Sequence, residues 1–378
     1  MDSTSLPERN ERDTDEGDAS VTVDVAVIGA GIAGATLAAA IERAGHTVAL
    51  LEARDRVGGR LLGHRHNGAR VDLGATWFWP NEPRVQALAA RFGLDTFAQH
   101  LAGDALFHQP GTGQRIEGNP LDTTSGRFRD SAQSLVEHVV EELGEGTLRL
   151  DTPVHRIATA PGGQLRVDHA HGSVTARHVA LAVPPALAAA SIDFEPALPD
   201  RLRGLIEVTP VWMGAIAKVV AIYATPFWRA AGLAGAAISH LGPMREIHDM
   251  SGPDGSPAAL FGFAPGSLDQ PTASAQACLD QLVELFGPEA AEPIDLVVHD
   301  WRAEPWTSPP EVERLTAYQA FGHPLFGEPA LDGRLHWCST ETATVAPGHI
   351  EGALAAAERA ASAILSDLTS TQSTKDRS

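Results

Sequence analysis

Apolar positions along this chain gather into short runs of strand length, separated by helical and glycine-rich stretches. Val23 to Ile28 is β-branched and apolar, as a buried strand would be. It ends in Gly29-x-Gly31-x-x-Gly34, and an alanine-rich helical pattern follows to about Ala44, with Gly45 placed as a C-terminal cap. Thr47 to Leu51 is a second apolar strand, and Glu52 stands at its carboxyl end. Further along, His178 to Leu187 reads as a strand running into a double proline, Ala215 to Tyr223 as an apolar strand, and Ala353 to Leu365 as a helix. The alternation predicts an α/β fold. No apolar run reaches membrane-spanning length and no signal-peptide core precedes the first strand, so a soluble chain is expected.

The strand, glycine turn, helix, strand and acid together form a dinucleotide-binding fingerprint. Gly29 permits the tight turn, Gly31 lets backbone approach a pyrophosphate, and Gly34 lets the helix lie close to the strand. Ala30, Ile32 and Ala33 fill the turn between them. The pyrophosphate would rest on free N–H groups at a helix N-terminus. Glu52, 18 residues after Gly34, is in reach of a ribose hydroxyl. Ala53, Arg54, Gly58, Gly59, Arg60 and Leu61 follow, a glycine pair among arginines, again suited to phosphate.

With Glu52, this second signal resembles the flavin-containing amine oxidases, and the resemblance recurs along nearly the whole chain. Gly74-Ala75-Thr76-Trp77 looks like the family's glycine segment beside the flavin ring, and Val154 like its adenine-contacting valine. The double proline after His178, and Lys218 eight residues before Pro226-Phe227-Trp228, are similar landmarks. Trp301, Trp306, Thr340-Glu341 and Gly348-His349-Ile350-Glu351-Gly352, with Ala353 after it, resemble the C-terminal flavin half-site. The resemblance implies FAD as cofactor and an FAD-binding Rossmann-like domain of GxGxxG plus GGR type, interleaved with a smaller mixed-sheet substrate domain. Segments 22–80, 128–208 and 304–368 would form the first domain, and 81–127 and 209–303 the second.

Composition narrows this picture. At 378 residues and 43% hydrophobic content the chain supports one large or two interleaved domains. Residues 1–21 hold an acidic stretch that reads as a disordered tail, and 369–378 as another. Two cysteines, Cys278 and Cys338, fit a reducing cytoplasm rather than a disulfide framework. A net charge of −20 argues against nucleic acid as a partner. The segment 81–127 is short, so the pocket roof is thin or completed by a second copy in a homodimer.

Three residues carry the candidate chemistry. Lys218 puts an ammonium into an apolar strand; such lysines usually snorkel to solvent, but the resemblance implies a water held at the flavin and assistance to reoxidation by oxygen. His349 occupies a position where relatives carry an aromatic ring against the substrate amine, and Trp306 is the candidate partner ring. A protonated imidazole there would repel an ammonium, so turnover should favour neutral His349. No cysteine follows Trp306, which implies noncovalent FAD. His64, His66, His169 and His171 lack metal-ligand spacing and read as surface residues, so no metal is expected. The implied reaction oxidises an amine at its C–N bond to an imine, hydrolysed to a carbonyl, with oxygen reduced to hydrogen peroxide. Two alternatives stay open: a related flavoenzyme acting on a non-amine substrate, and a flavin-binding module without turnover.

Overall fold

The computed structural model describes residues 21–265 and 274–375. The acidic tail therefore lies outside the described residues, except that Val21 already belongs to the first strand, Val21–Ile28. This strand is buried from Val25 onward because it is the centre of the larger sheet. It pairs in parallel with Val48–Leu51 on one side and with Gly172–Leu181 on the other. Leu148–Arg149 and Leu335–Trp337 add further parallel neighbours. Gln164–His169 and Val154–Ala160 extend the sheet as an antiparallel ribbon beyond Gly172–Leu181.

Both faces of the sheet are covered, which is why its central strands are apolar throughout rather than alternating. On one face pack the helices Ile32–Arg43, Pro83–Arg91, Gln133–Glu141 and Ile350–Lys375. On the other lie Pro185–Ser191 and Asp200–Val208, with Phe326 and Trp337. Alanines dominate the inner face of Ile32–Arg43, so this helix and the C-terminal one approach closely.

A second, seven-stranded sheet runs in the order Asp295–Asp300, Ile216–Tyr223, Ala258–Pro265, Glu246–Asp249, Leu233–Ser239, Asp104–Gln109, Thr112–Ile116. Its strands are antiparallel except for the parallel pairing of Leu233–Ser239 with Asp104–Gln109. One face carries the helix Ala275–Phe286. The opposite face, through Val220, Ile222, Ala259 and Phe261, packs on Val71 and Leu73, which follow the dinucleotide fingerprint in sequence. The seam between the two sheets is thus a small apolar core of its own.

Two expectations are corrected. The C-terminal helix does not end near Leu365 but continues to Lys375, through the stretch read as a tail. No glycine or proline follows Gly352 in this helix, and the Thr369 and Ser370 hydroxyls donate to the carbonyls of Leu365 and Asp367 within it. His64 and His66 are not idle surface residues: both meet the Asp295 carboxylate, at 2.9 and 3.3 Å, joining a hairpin of the first sheet's segment to the second sheet. His169 is buried as well.

A side chain at Gly34 would place its Cβ 1.9 Å from the carbonyl oxygen of Gly29. Gly34→Ala is therefore expected to force the helix off the strand and destabilise the protein by at least ~1–3 kcal/mol, the usual scale of overpacking. Thermal unfolding of the variant against wild type checks it; an unchanged Tm would contradict the close packing.

Candidate active site

Three glycine-containing turns meet at the carboxyl end of the central strand. Gly31 forms an isolated bridge with Gly58, and the Gly58 amide donates to Ala30 O at 2.9 Å. Gly74 lies so close to the second turn that a Cβ would sit 1.8 Å from Arg60 O. By contrast, a Cβ on Gly31 would meet only Gly58 O at 3.8 Å, so its open side faces the cavity. The helix beginning at Ile32 has no side-chain cap and no acid in its first turn, which leaves its positive end for an anion.

From these turns a cavity of about 540 Å³ runs to the seam between the sheets. Its walls include Gly29, Gly31, Ile32, Ala33, Glu52, Ala53, Arg54, Gly59, Arg60, Leu61, Gly74, Ala75, Thr76, Trp77, Val154, Lys218, Trp301, Trp306, Thr340, His349, Ile350 and Ala353. Ala30, Gly34 and Glu341 lie behind this wall. Ala30 donates its amide to Glu52 Oε2 at 2.7 Å, and the Arg54 amide donates to Glu52 Oε1 at 3.0 Å, so the buried carboxylate also braces the turn.

Two ion pairs bring in the C-terminal segments. Arg54 donates to Glu304 at 2.9 Å, to Thr307 Oγ1 at 2.8 Å and to Trp306 O, tying down the 304–307 turn. Arg60 donates to both oxygens of Glu341, which has no exposed side-chain surface. Burial opposes ionisation of Glu341, but the Arg60 guanidinium outweighs it and holds the carboxyl below its usual range. Thr340 pins the following turn: its hydroxyl donates to His349 O at 2.8 Å and accepts the Gly348 amide at 2.9 Å.

At the seam, Lys218 is buried, and Nζ donates to Gly74 O at 2.9 Å and to Thr76 Oγ1. Nζ also lies 4.2 Å from the centre of the Phe261 ring, a cation–π distance. Desolvation lowers its pKa from 10.5 to about 7; the Asp72 carboxylate resists this and Arg127 reinforces it. Asp72 is itself pushed up by burial, against hydrogen bonds from Ser131 and the Ala132 amide.

Trp306 and His349 both line this cavity. The 304–307 turn is fastened to Arg54, and the ring paired with His349 is Trp79, centroids 4.8 Å apart. Trp79, Trp212, Met213, Ile216 and Phe263 also line the cavity and were missed. The apolar run around Trp77 to Trp79 was the available signal; Trp212 and Met213 lie in a loop whose lone clue is Gly214. Pro226-Phe227-Trp228 lies away from the cavity: Trp228 Nε1 and Arg229 both donate to buried Asp249.

Residues 122–365 match the family model described as flavin containing amine oxidoreductase, and residues 27–92 match a NAD(P)-binding Rossmann-like domain. The chain therefore belongs to the flavin-containing amine oxidoreductase family; it is an FAD-dependent oxidoreductase. Putrescine oxidase of Kocuria rosea is 26% identical over 90% of this chain and 95% of that relative. Human flavin-containing amine oxidase B is 25% identical over 90% of this chain and 86% of the relative. Among solved structures, putrescine oxidase bound to putrescine superposes with a TM-score of 0.79 at 23% identity, covering 92% of this chain and 100% of that one. Cyclohexylamine oxidase from Brevibacterium oxydans also reaches a TM-score of 0.79 at 23% identity, covering 92% and 99%. These two show the shared fold. No described helix is long and apolar enough to cross a membrane.

The residues present fit FAD. The open face of Gly31, the uncapped helix and Arg60 suit a pyrophosphate, Glu52 and Val154 suit an adenosine, and the Gly74–Trp77 segment flanks the far end.

Arg60→Ala should leave Glu341 as an uncompensated buried charge and cost about 3 kcal/mol. Denaturant unfolding should show part of this recovered in Arg60→Ala/Glu341→Gln, and no recovery would contradict the pairing. Lys218 gives a pH signature. Its folded pKa near 7 lies below the ordinary 10.5, so between those values the unfolded chain binds more protons. Wild type should thus gain stability relative to Lys218→Met as pH rises from 7 toward 10; a constant difference would mean the lysine is not desolvated.

Proposed function

We propose that this protein oxidises a primary or secondary amine at its C–N bond, giving an imine that hydrolyses to a carbonyl, with oxygen reduced to hydrogen peroxide. The single observation that carries this is the buried lysine at the seam of a cavity whose other end is built for a dinucleotide. Bound FAD supplies the two-electron chemistry at the carbon next to nitrogen, so no side-chain nucleophile is required.

The chain's own residues position and shield. Trp77, Trp79, Trp212, Met213, Ile216 and Phe263 give the seam end an apolar wall, suited to an amine with an aromatic or aliphatic body and to exclusion of water. Lys218, balanced near pH 7, holds or releases a proton beside the Gly74–Thr76 backbone, which suits assistance to the oxygen half-reaction. In this proposal segments 22–80, 128–208 and 304–368 hold the cofactor, and 81–127 with 209–303 form the substrate side. Names of relatives, putrescine oxidase and amine oxidase B among them, support amine chemistry. Both cysteines are free and buried away from the cavity, which supports noncovalent FAD and a cytoplasmic setting.

A panel of amines assayed for carbonyl product and peroxide in equal amounts tests the reading; a panel that yields neither sinks it. Acid precipitation should leave the yellow colour in the supernatant, and colour in the pellet would mean a covalent link. Lys218→Met should slow the reaction of reduced enzyme with oxygen by on the order of a hundredfold, the scale of losing one preorganised donor. Anaerobic reduction should change far less. Equal losses in both half-reactions would make Lys218 structural.

A further inference from the structure

The turn leading into the helix Pro83–Arg91 and the start of the C-terminal helix bring a carboxylate onto the imidazole of the cavity. His349 Nδ1 lies 2.6 Å from Glu82 Oε1. The other oxygen, Oε2, accepts the Trp79 amide at 3.0 Å, and Glu82 is only 2% exposed. Trp79 covers the imidazole at a 37° interplanar angle. A carboxylate oxygen accepts a hydrogen bond from Nδ1–H, the tautomer that leaves a lone pair on Nε2. Nε2 has no hydrogen-bond partner among the described residues, while the ring lines the cavity.

Arg245 and Glu246 line the cavity as well, and Glu246 faces His248. Glu351, on the same helix, accepts from the Arg84 side chain and from the Arg84 and Val85 amides, and Arg84 also pairs with Glu358. Glu341 is held by Arg60. Lys218, on the same cavity, donates to Gly74 O and Thr76. Glu82 is thus the carboxylate that addresses His349.

An alkylamine reaches the enzyme as an ammonium, whose nitrogen has no lone pair. Oxidation at the neighbouring carbon needs that lone pair to form the C=N bond. We propose that His349 and Glu82 form a proton-accepting pair for the amine substrate. The N–H bond of R–NH₃⁺ breaks, an Nε2–H bond forms, and the electron pair stays on the substrate nitrogen. The imidazolium so produced is neutralised by Glu82, a positioning residue that acts through His349. This deepens the amine-oxidation reading and rests on it.

The test uses FAD-loaded enzyme, with benzylamine as probe and the rate of anaerobic flavin bleaching followed from pH 6.5 to 10. Glu82→Gln and His349→Gln should keep the flavin spectrum but lose roughly 10- to 100-fold in rate at pH 7.5, the scale of general-base assistance. The loss should shrink to within about threefold once pH exceeds the probe's own ammonium pKa, because free amine then arrives without help. A loss by the same factor at every pH, or no loss, would overturn the pair and leave the amine reading standing. Wild-type flavin left oxidised by benzylamine and every other amine would overturn both. Should Glu82→Gln fail to hold FAD, His349→Gln carries the same pH comparison.

Discussion

A buried lysine amine is the constraint around which this molecule is arranged. Lys218 sits in the middle of an apolar strand of the second sheet and is buried. Its hydrogen bonds go to Gly74 and Thr76, which belong to the segment that follows the first sheet's dinucleotide turns. Leaving such a group without partners would cost several kcal/mol. The two sheets therefore meet where the lysine finds its carbonyl and hydroxyl, and the apolar contacts of Val71 and Leu73 with Val220 and Phe261 close around that point. Desolvation at the same place moves the lysine's titration to about pH 7, so one interaction both joins the two halves and prepares a proton-responsive group.

Segments remote in sequence reach this seam through backbone contacts and two ion pairs. Glycines at 31, 58 and 74 let three turns touch without side chains between them. Arg54 with Glu304, and Arg60 with Glu341, then fasten the last third of the chain to the first. Because Glu341 is buried and Thr340 holds the next turn, the imidazole of His349 is delivered to the cavity by a rigid path rather than by a loose loop.

Much of this was legible in the sequence because local rules suffice for it. A β-branched run, spaced glycines and an acid at the end of the next strand specify a dinucleotide turn, in which Gly34 leaves no room for a Cβ. The lysine was visible as a charge in an apolar run. What could not be read depends on tertiary placement. Trp79 packs on His349, and Arg54 anchors the 304–307 turn through a contact spanning some 250 positions. Glu82 gave no signal, since an acid before Pro83 looks like an ordinary helix start. His64 and His66 seemed exposed because Asp295 lies far along the chain. The polar residues of the last helical turns before Lys375 read as a tail in sequence, yet the Thr369 and Ser370 hydroxyls bond within the helix.

One continuous cavity is expected to hold the cofactor from the fingerprint glycines to the lysine at the seam. Crystallographic density for the FAD-loaded enzyme soaked with an unreactive amine tests it most directly. The density should show a pyrophosphate between the helix at Ile32 and Arg60, an isoalloxazine against Gly74–Thr76 and Lys218, and the amine between that ring and His349. An isoalloxazine lying away from Lys218, or an amine bound outside this cavity, would contradict it.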